Sequence, residues 1–474
     1  MTDTYFPPMI SDELGRSPEA AIDRNFYSRG SQCSVFTEID GIHVDELTSQ
    51  FGSPLFVFSE RTLRAKARRM RKAFHDRYEN TEFAWSYKTN YLNAICQVFH
   101  SEGWNAEVVS DFEYHKARNL GIEGKDIILN GPHKSKELLQ TAIEEHSLIQ
   151  IDNWDELGEL QKLVKDADQP VNVGIRVWMD NGIKPVWTKF GFAMANGEAI
   201  RAARLVMETP NLNLHTLHTH IGTYILEPDA YRNATRGILT LREMIEVETG
   251  HVVPCLNMGG GFPSYSKLHG MVGDAENIIP PIESFATAIT SVLNELPEDK
   301  RPLLRLESGR HLVDEAGYLL TKVIAVKGNN RMPVEETDMM ARDAKEWLIL
   351  SETAKNGYIV DAGVNLLYTS TWFGIDAKPA RQVNAPPTPS RLYGCLCMAI
   401  DVIRDHIELP PMETGDILTM HPVGAYNFTQ SMQFIAYRPA IVLINENGVP
   451  EIIRQRETLD HINTGEIIPE HLAR

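Results

Sequence analysis

Between residues 54 and 310, short apolar runs rich in β-branched residues alternate with longer, charged, amphipathic stretches. The runs that predict strands are FAWSYK (83–88), AEVVS (106–110), DIILNG (126–131), LIQID (148–152), VNVGIRV (171–177), LHTLHTHIG (214–222), CLNMGGG (255–261) and LLRLESG (303–309). The spacers between them read as helices. In SKELLQTAIEEH, Leu138, Leu139, Ala142 and Ile143 recur at helical spacing behind Ser135, a plausible N-cap residue. Eight strands, each followed by a helix over about 230 residues, predict a (β/α)8 TIM barrel of the α/β class, with an open doubly wound sheet as competitor.

Beyond Arg310 the pattern changes. YLLTKVIAV, NGYIVDAGV, DILTMH, FIAYRPAIVLI and EIIRQRE follow one another without regular helical spacers, punctuated by turn-forming NAPPTPS and NENGVP. The expectation is a barrel over 54–310 and a separate β-sandwich or β-barrel domain built from 1–53 with 311–474. The polar stretch 329–355 reads as an insertion.

Composition narrows the function. The 474-residue chain has a formal net charge of −18, which argues against nucleic acid or an anionic membrane surface as partner. No apolar run is long enough to span a bilayer, and the first twenty residues lack the basic flank and apolar core of a signal peptide. The five cysteines are scattered and odd in number, so neither a zinc site nor a disulfide framework is expected, no metal is assigned, and the expected compartment is the cytoplasm.

Catalytic groups of such barrels sit where the strands end. Lys88 ends the first run. A lysine shielded there would lose hydration and become nucleophilic, whereas at a surface it would simply extend to solvent. His220 and Thr223 end the sixth run, Gly259, Gly260 and Gly261 the seventh, and Glu307, Gly309 and Arg310 the eighth. Taken singly, each has an ordinary structural explanation: a turn, a packed histidine, a surface ion pair. Together they supply an amine, backbone donors for a phosphate, a flat imidazole and a carboxylate, which is the inventory that pyridoxal 5′-phosphate requires.

With these motifs the chain resembles the alanine-racemase-like class of pyridoxal-phosphate enzymes, and within it the diaminopimelate/ornithine/arginine decarboxylase family. The resemblance runs through YKTN (87–90), HTHIGT (218–223), NMGGGFP (257–263), LESGR (306–310), YIVDAGVN (358–365), CLCMAID (395–401) and GAYNF (424–428). It implies that Lys88 binds the cofactor covalently, that His220 stacks on its ring, and that Thr223 and Gly259 to Gly261 hold its phosphate. Glu307 would face the pyridine nitrogen, with Gly309, Arg310 and Tyr426 as further cofactor or substrate contacts. A carboxylate at Glu307 favours decarboxylation, whereas racemases of this class place arginine there. Cys397 would protonate Cα from a neighbouring subunit, so the resemblance also implies a head-to-tail homodimer acting on a small amino acid.

The chain departs from that pattern where diaminopimelate decarboxylases hold the far end of their substrate. Met398 stands where glutamate is usual, and Thr369 and Phe373 where arginine and tyrosine are. A charged substrate group desolvated without a partner loses much of its binding. The expectation is an intact α-decarboxylase with a retuned distal pocket lined by Arg310, Thr369, Phe373, Met398, Asp401 and Tyr426. The alternatives are a true meso-diaminopimelate decarboxylase, a racemase, and a non-catalytic relative.

Overall fold

The computed structural model describes residues 34–327 and 356–473; the expected insertion at 329–355 and most of the N-terminal segment lie outside them. The chain divides into two compact units, one comprising 62–265 with 273–314, the other joining its N-terminal part to 266–272 and the residues from 315 onward.

After a short hairpin at Glu38–Ile39 and Ile42–His43, strand β1 (Leu55–Ser59) precedes eight parallel strands: β2 (Thr81–Ser86), β3 (Asn105–Val108), β4 (Ile127–Leu129), β5 (Leu148–Ile151), β6 (Val171–Trp178), β7 (Leu212–His218), β8 (Cys255–Asn257) and β9 (Leu303–Ser308). Each of β2 to β8 pairs with the next, and β9 pairs back to β2, which closes the ring. This is the expected TIM barrel. All eight predicted runs become its strands, most of them shorter than the runs, because the last residues turn out of the ladder to form the rim.

The helices around the ring bury their apolar faces, and three of them start at a capping side chain. Helix α1 (Asp111–Asn119) is capped by Ser110, α2 (Lys136–Glu144) by Ser135 and α3 (Trp154–Leu163) by Asn153, each side chain accepting from the N–H three residues on. In α2, Leu138, Leu139 and Ala142 are buried, as their spacing predicts. A cap of this kind stabilises a helix by about 1 kcal/mol.

The expected boundary at 54 is corrected by strand pairing. β1 belongs to the second unit: it pairs antiparallel with β10 (Gly317–Lys327) and parallel with Ala440–Ile444. The physical reason lies in the run LFVFS, whose five residues are all buried. A continuous apolar run suits the middle of any sheet, so its composition cannot tell one sheet from another. The second unit is mostly sheet, and its core gathers Leu55, Val57, Leu320, Ile417, Val442 and Ile444. Among the described residues no helix is long and apolar enough to cross a membrane.

Candidate active site

The register of the ring brings the strand ends together. Ser86 at the end of β2 lies opposite Glu107 on β3, and His218 at the end of β7 lies opposite both Arg176 and Asn257. Lys88 follows β2 in a short 3-10 turn, Tyr87–Thr89. That turn is held from behind: Tyr87 is fully buried, and its hydroxyl lies 2.7 Å from Nε2 of His100. The Lys88 side chain remains 41% exposed, and its Nζ donates to Glu107 at 2.6 and 2.9 Å.

Behind the lysine runs a chain of polar groups. Ser86 Oγ donates to Glu107 at 2.5 Å. Asn130, just past β4, donates from Nδ2 to Glu107 Oε1 and to Glu307 Oε2, both at 2.9 Å. Glu307 also accepts from Asn257 Nδ2 at 2.6 Å, and His218 Nε2 lies 3.4 Å from its other oxygen without forming an aligned hydrogen bond. Burial pushes the Glu307 carboxyl up, but His218, Lys88 and the Asn257 donor outweigh it and hold the group well below the usual carboxylate range. Glu113 behaves oppositely. Burial first, then the charge of Glu107, raises it to about 7.

His220 accepts a hydrogen bond from the N–H of Gly260 at its Nδ1, 2.9 Å away. Burial, Arg176 and Lys88 push its proton affinity well below the ordinary histidine value. The imidazole is therefore neutral, with its proton on Nε2, and its ring lies 5.9 Å from that of Trp187.

The three glycines are required by packing as well as by any ligand. A Cβ at Gly260 would sit 2.1 Å from the carbonyl oxygen of Glu307, and one at Gly261 would sit 2.3 Å from that of Gly222. Gly259 and Gly261 also have positive φ, 63° and 95°. The N–H of Gly259 is engaged by Asn257 and that of Gly260 by His220. Gly261 is the member of the trio whose N–H can serve an anion. Thr223, on the adjoining loop, is exposed. At the end of β9, Gly309 lies so close to Thr89 that a Cβ would come within 2.0 Å of its hydroxyl, and Arg310 faces Asp314 at 3.4 Å.

Lys88, His220, Gly259 to Gly261 and Glu307 thus gather at one end of the barrel. Reading the sequence for reactive groups missed Glu107, Asn130 and Asn257. Asn130 and Asn257 stand at strand ends but carry no charge to mark them, and Glu107 gains its meaning only from lying opposite Ser86 across the ladder.

The remaining candidates lie in the second unit. Thr369 is buried and its hydroxyl donates to Asn427 Oδ1 at 2.9 Å; Phe373 is buried and bridges to Leu268. Asp401 is 3% exposed, and its carboxylate accepts from the N–H groups of Val364 and Leu396 at 2.8 and 2.7 Å. It orders the loop that carries Cys397, which is exposed, and Met398, which is half-buried. Tyr426 is half-buried with φ of 65°.

The barrel groups fit pyridoxal 5′-phosphate: an accessible amine, a neutral imidazole, a glycine loop with a donor to offer, and a buried charged carboxylate. Comparison with known proteins agrees. Residues 60–314 match the family model of the pyridoxal-binding domain of pyridoxal-dependent decarboxylases. The chain is similar to diaminopimelate decarboxylase of Methanocaldococcus jannaschii, 29% identical over 92% of this chain and 95% of that one. It is also similar to that of Bacillus subtilis, 26% identical over 90% and 94%. A crystal structure of the M. jannaschii enzyme with L-lysine superimposes with a TM-score of 0.79 at 27% identity, over 94% of this chain and 99% of that one. A lysine/ornithine decarboxylase from Vibrio vulnificus with putrescine, at 20% identity, shares the fold with a TM-score of 0.68 over 86% and 98%. The family model spans more than half of the chain, and on that ground the chain belongs to the pyridoxal-dependent decarboxylases, enzymes whose cofactor is pyridoxal 5′-phosphate.

Proposed function

We propose that this enzyme removes the α-carboxylate of an amino acid whose distal end differs from that of meso-diaminopimelate. The buried, charged Glu307 carries the decarboxylase part of the reading. When bound, the cofactor supplies an electron sink for the pair left as the bond between Cα and the carboxylate breaks. A charged carboxylate at Glu307 would keep a proton on the pyridine nitrogen, which deepens that sink. Lys88 would hold the cofactor covalently and return to release product. His220, neutral and flat, would support one ring face. Gly261 and Thr223 would hold the phosphate, with Gly259 and Gly260 shaping the loop.

Arg310 would meet the substrate carboxylate or the phosphate. Cys397, exposed on the loop ordered by Asp401, would deliver the proton to Cα of a substrate held by a second copy of the chain, in a head-to-tail homodimer. A less charged distal pocket is supported by Thr369 and Phe373, both buried and neither bearing a charge, and by Met398.

The decisive experiment is carbon dioxide release from a panel of amino acids, including meso-diaminopimelate, lysine, ornithine, arginine and less charged or N-modified analogues. Preference for an analogue is expected; efficient turnover of meso-diaminopimelate would overturn the altered pocket while leaving the decarboxylase. Lys88→Ala should abolish release and the visible absorbance of covalently bound cofactor, and retention of both would overturn the assignment of the lysine.

A further inference from the structure

We infer that Asn130 is a positioning residue that couples the carboxylate serving Lys88 to the carboxylate of Glu307, making the two ends of the cofactor site respond to protons as one unit. The inference rests on the cofactor reading above and concerns a residue to which that reading gives no role.

The geometry is specific. Two carboxylates face one carboxamide, and each takes a hydrogen bond of 2.9 Å from the same nitrogen, Nδ2. A primary amide has two N–H donors, so both are accounted for. The side chain is 3% exposed, and its Oδ1 takes no partner among the described residues. A buried carboxamide that forgoes a bond at its oxygen to place both donors is held for what the donors do.

The backbone fixes it there. The N–H of Asn130 donates to Val108 O at 2.8 Å, continuing the ladder between β3 and β4 by one residue. Gly131 then turns with φ of 107°, so close to β3 that a Cβ would come within 2.9 Å of Val109 O. Lys134, fully buried, donates to Gly131 O and to Gln150 O, each at 2.9 Å, and is paired with Glu156 at 2.8 Å. The bracing fixes the backbone position from which the Asn130 side chain reaches both glutamates.

The consequence is electrostatic. A hydrogen bond donated to a carboxylate favours its charged form, and two neighbouring carboxylates each disfavour the charge of the other. One amide between them offsets that repulsion at both ends. Removing it makes both carboxylates more avid for protons, and the proton held between Lys88 and the cofactor should be held more tightly.

The test is a spectrophotometric pH titration of the full chain loaded with pyridoxal 5′-phosphate. In Asn130→Ala the pH midpoint of the cofactor's visible absorbance change should rise by about one unit. In Asn130→Asp, which keeps the shape but replaces the donors with a third charge, it should rise further. The kcat should fall in both variants, with KM little changed. A merely structural role would lower the melting temperature without moving the midpoint, and an unmoved midpoint in either folded variant overturns the inference. Should neither variant fold, a crystal structure of the loaded wild-type enzyme decides. Asn130 within hydrogen-bond distance of both glutamates upholds the coupling, and loss of either contact overturns it. If the wild-type chain shows no lysine-bound cofactor spectrum, the cofactor reading fails instead.

Discussion

The mouth of the barrel and the substrate-facing candidates of the sheet unit treat charge in opposite ways. At the barrel mouth the Lys88 ammonium donates to Glu107, Asn130 donates to Glu107 and Glu307, and Asn257 donates to Glu307, so each glutamate has a named donor. In the sheet unit Thr369 and Phe373 are buried and neutral, and the one buried carboxylate among the candidates, Asp401, is taken up by backbone N–H groups. Machinery that must handle a proton and an electron pair is kept charged at the cost of desolvation. Surfaces that would recognise the far end of a substrate carry no charge to offer. On the proposed reading, reaction type and substrate choice would have separate physical supports in this chain, so that one could change while the other stays.

The largest effect should come from Glu307→Gln. Glu307 accepts from two amide nitrogens, Asn130 and Asn257. A glutamine can accept from one of them only by pointing its own NH2 at the other. We expect kcat to fall by roughly 10²–10³-fold, as when a single aimed charge stabiliser is lost, with folding retained by circular dichroism. Activity within a factor of a few of wild type would mean that the buried charge is scaffolding.

Next in size is the pH dependence of stability through Glu113. Its folded-state value is raised from 4.5 to about 7, so between those values the folded protein binds more protons than the unfolded one. The stabilisation is complete below about pH 4.5 and is lost as pH rises through about 7, amounting to ~3 kcal/mol. Glu113→Gln keeps an acceptor for Val109 N–H, now 2.9 Å from Oε2, and removes the titration. Its stability relative to wild type in urea should therefore improve between pH 4.5 and 7. A difference that stays constant with pH would place the burial penalty elsewhere.

The smallest expected effect, and the one that speaks most directly to the sheet unit, is Met398→Glu. If the neutral pocket sets substrate choice, a carboxylate there should raise kcat/KM for meso-diaminopimelate or lysine by roughly tenfold, the value of one hydrogen bond to a charged group. It should lower kcat/KM for the preferred neutral analogue. Equal changes for all substrates would show that residue 398 does not meet the distal end.

Much of this was legible in the chain because periodicity encodes it. Eight runs of β-branched residues separated by amphipathic spacers specify the ring, and Ser135 announces its helix by chemistry alone. The fate of LFVFS was not legible, since four apolar residues and a buried serine satisfy either sheet and only the pairing with 317–320 and 440–444 decides. Within the site, Lys88 and Glu307 were conspicuous as charges at strand ends. Glu107, Asn130 and Asn257 were not, because their meaning arises from register across neighbouring strands. Asp401 was misleading in the opposite sense: a lone acid after a cysteine pair looks available to a ligand, but folding gives it two backbone donors.

Lys134 and Glu156 have a bearing on the history open to this chain. Both are buried, and each compensates the charge of the other. Replacing either alone would strand an uncompensated ion in the barrel wall, a step that costs about 3–5 kcal/mol. The pair can be abandoned only by changing both residues together, whereas neutral positions such as Thr369 can drift singly. The wall that steadies Asn130 is therefore a place where the chain tolerates paired changes but not single ones.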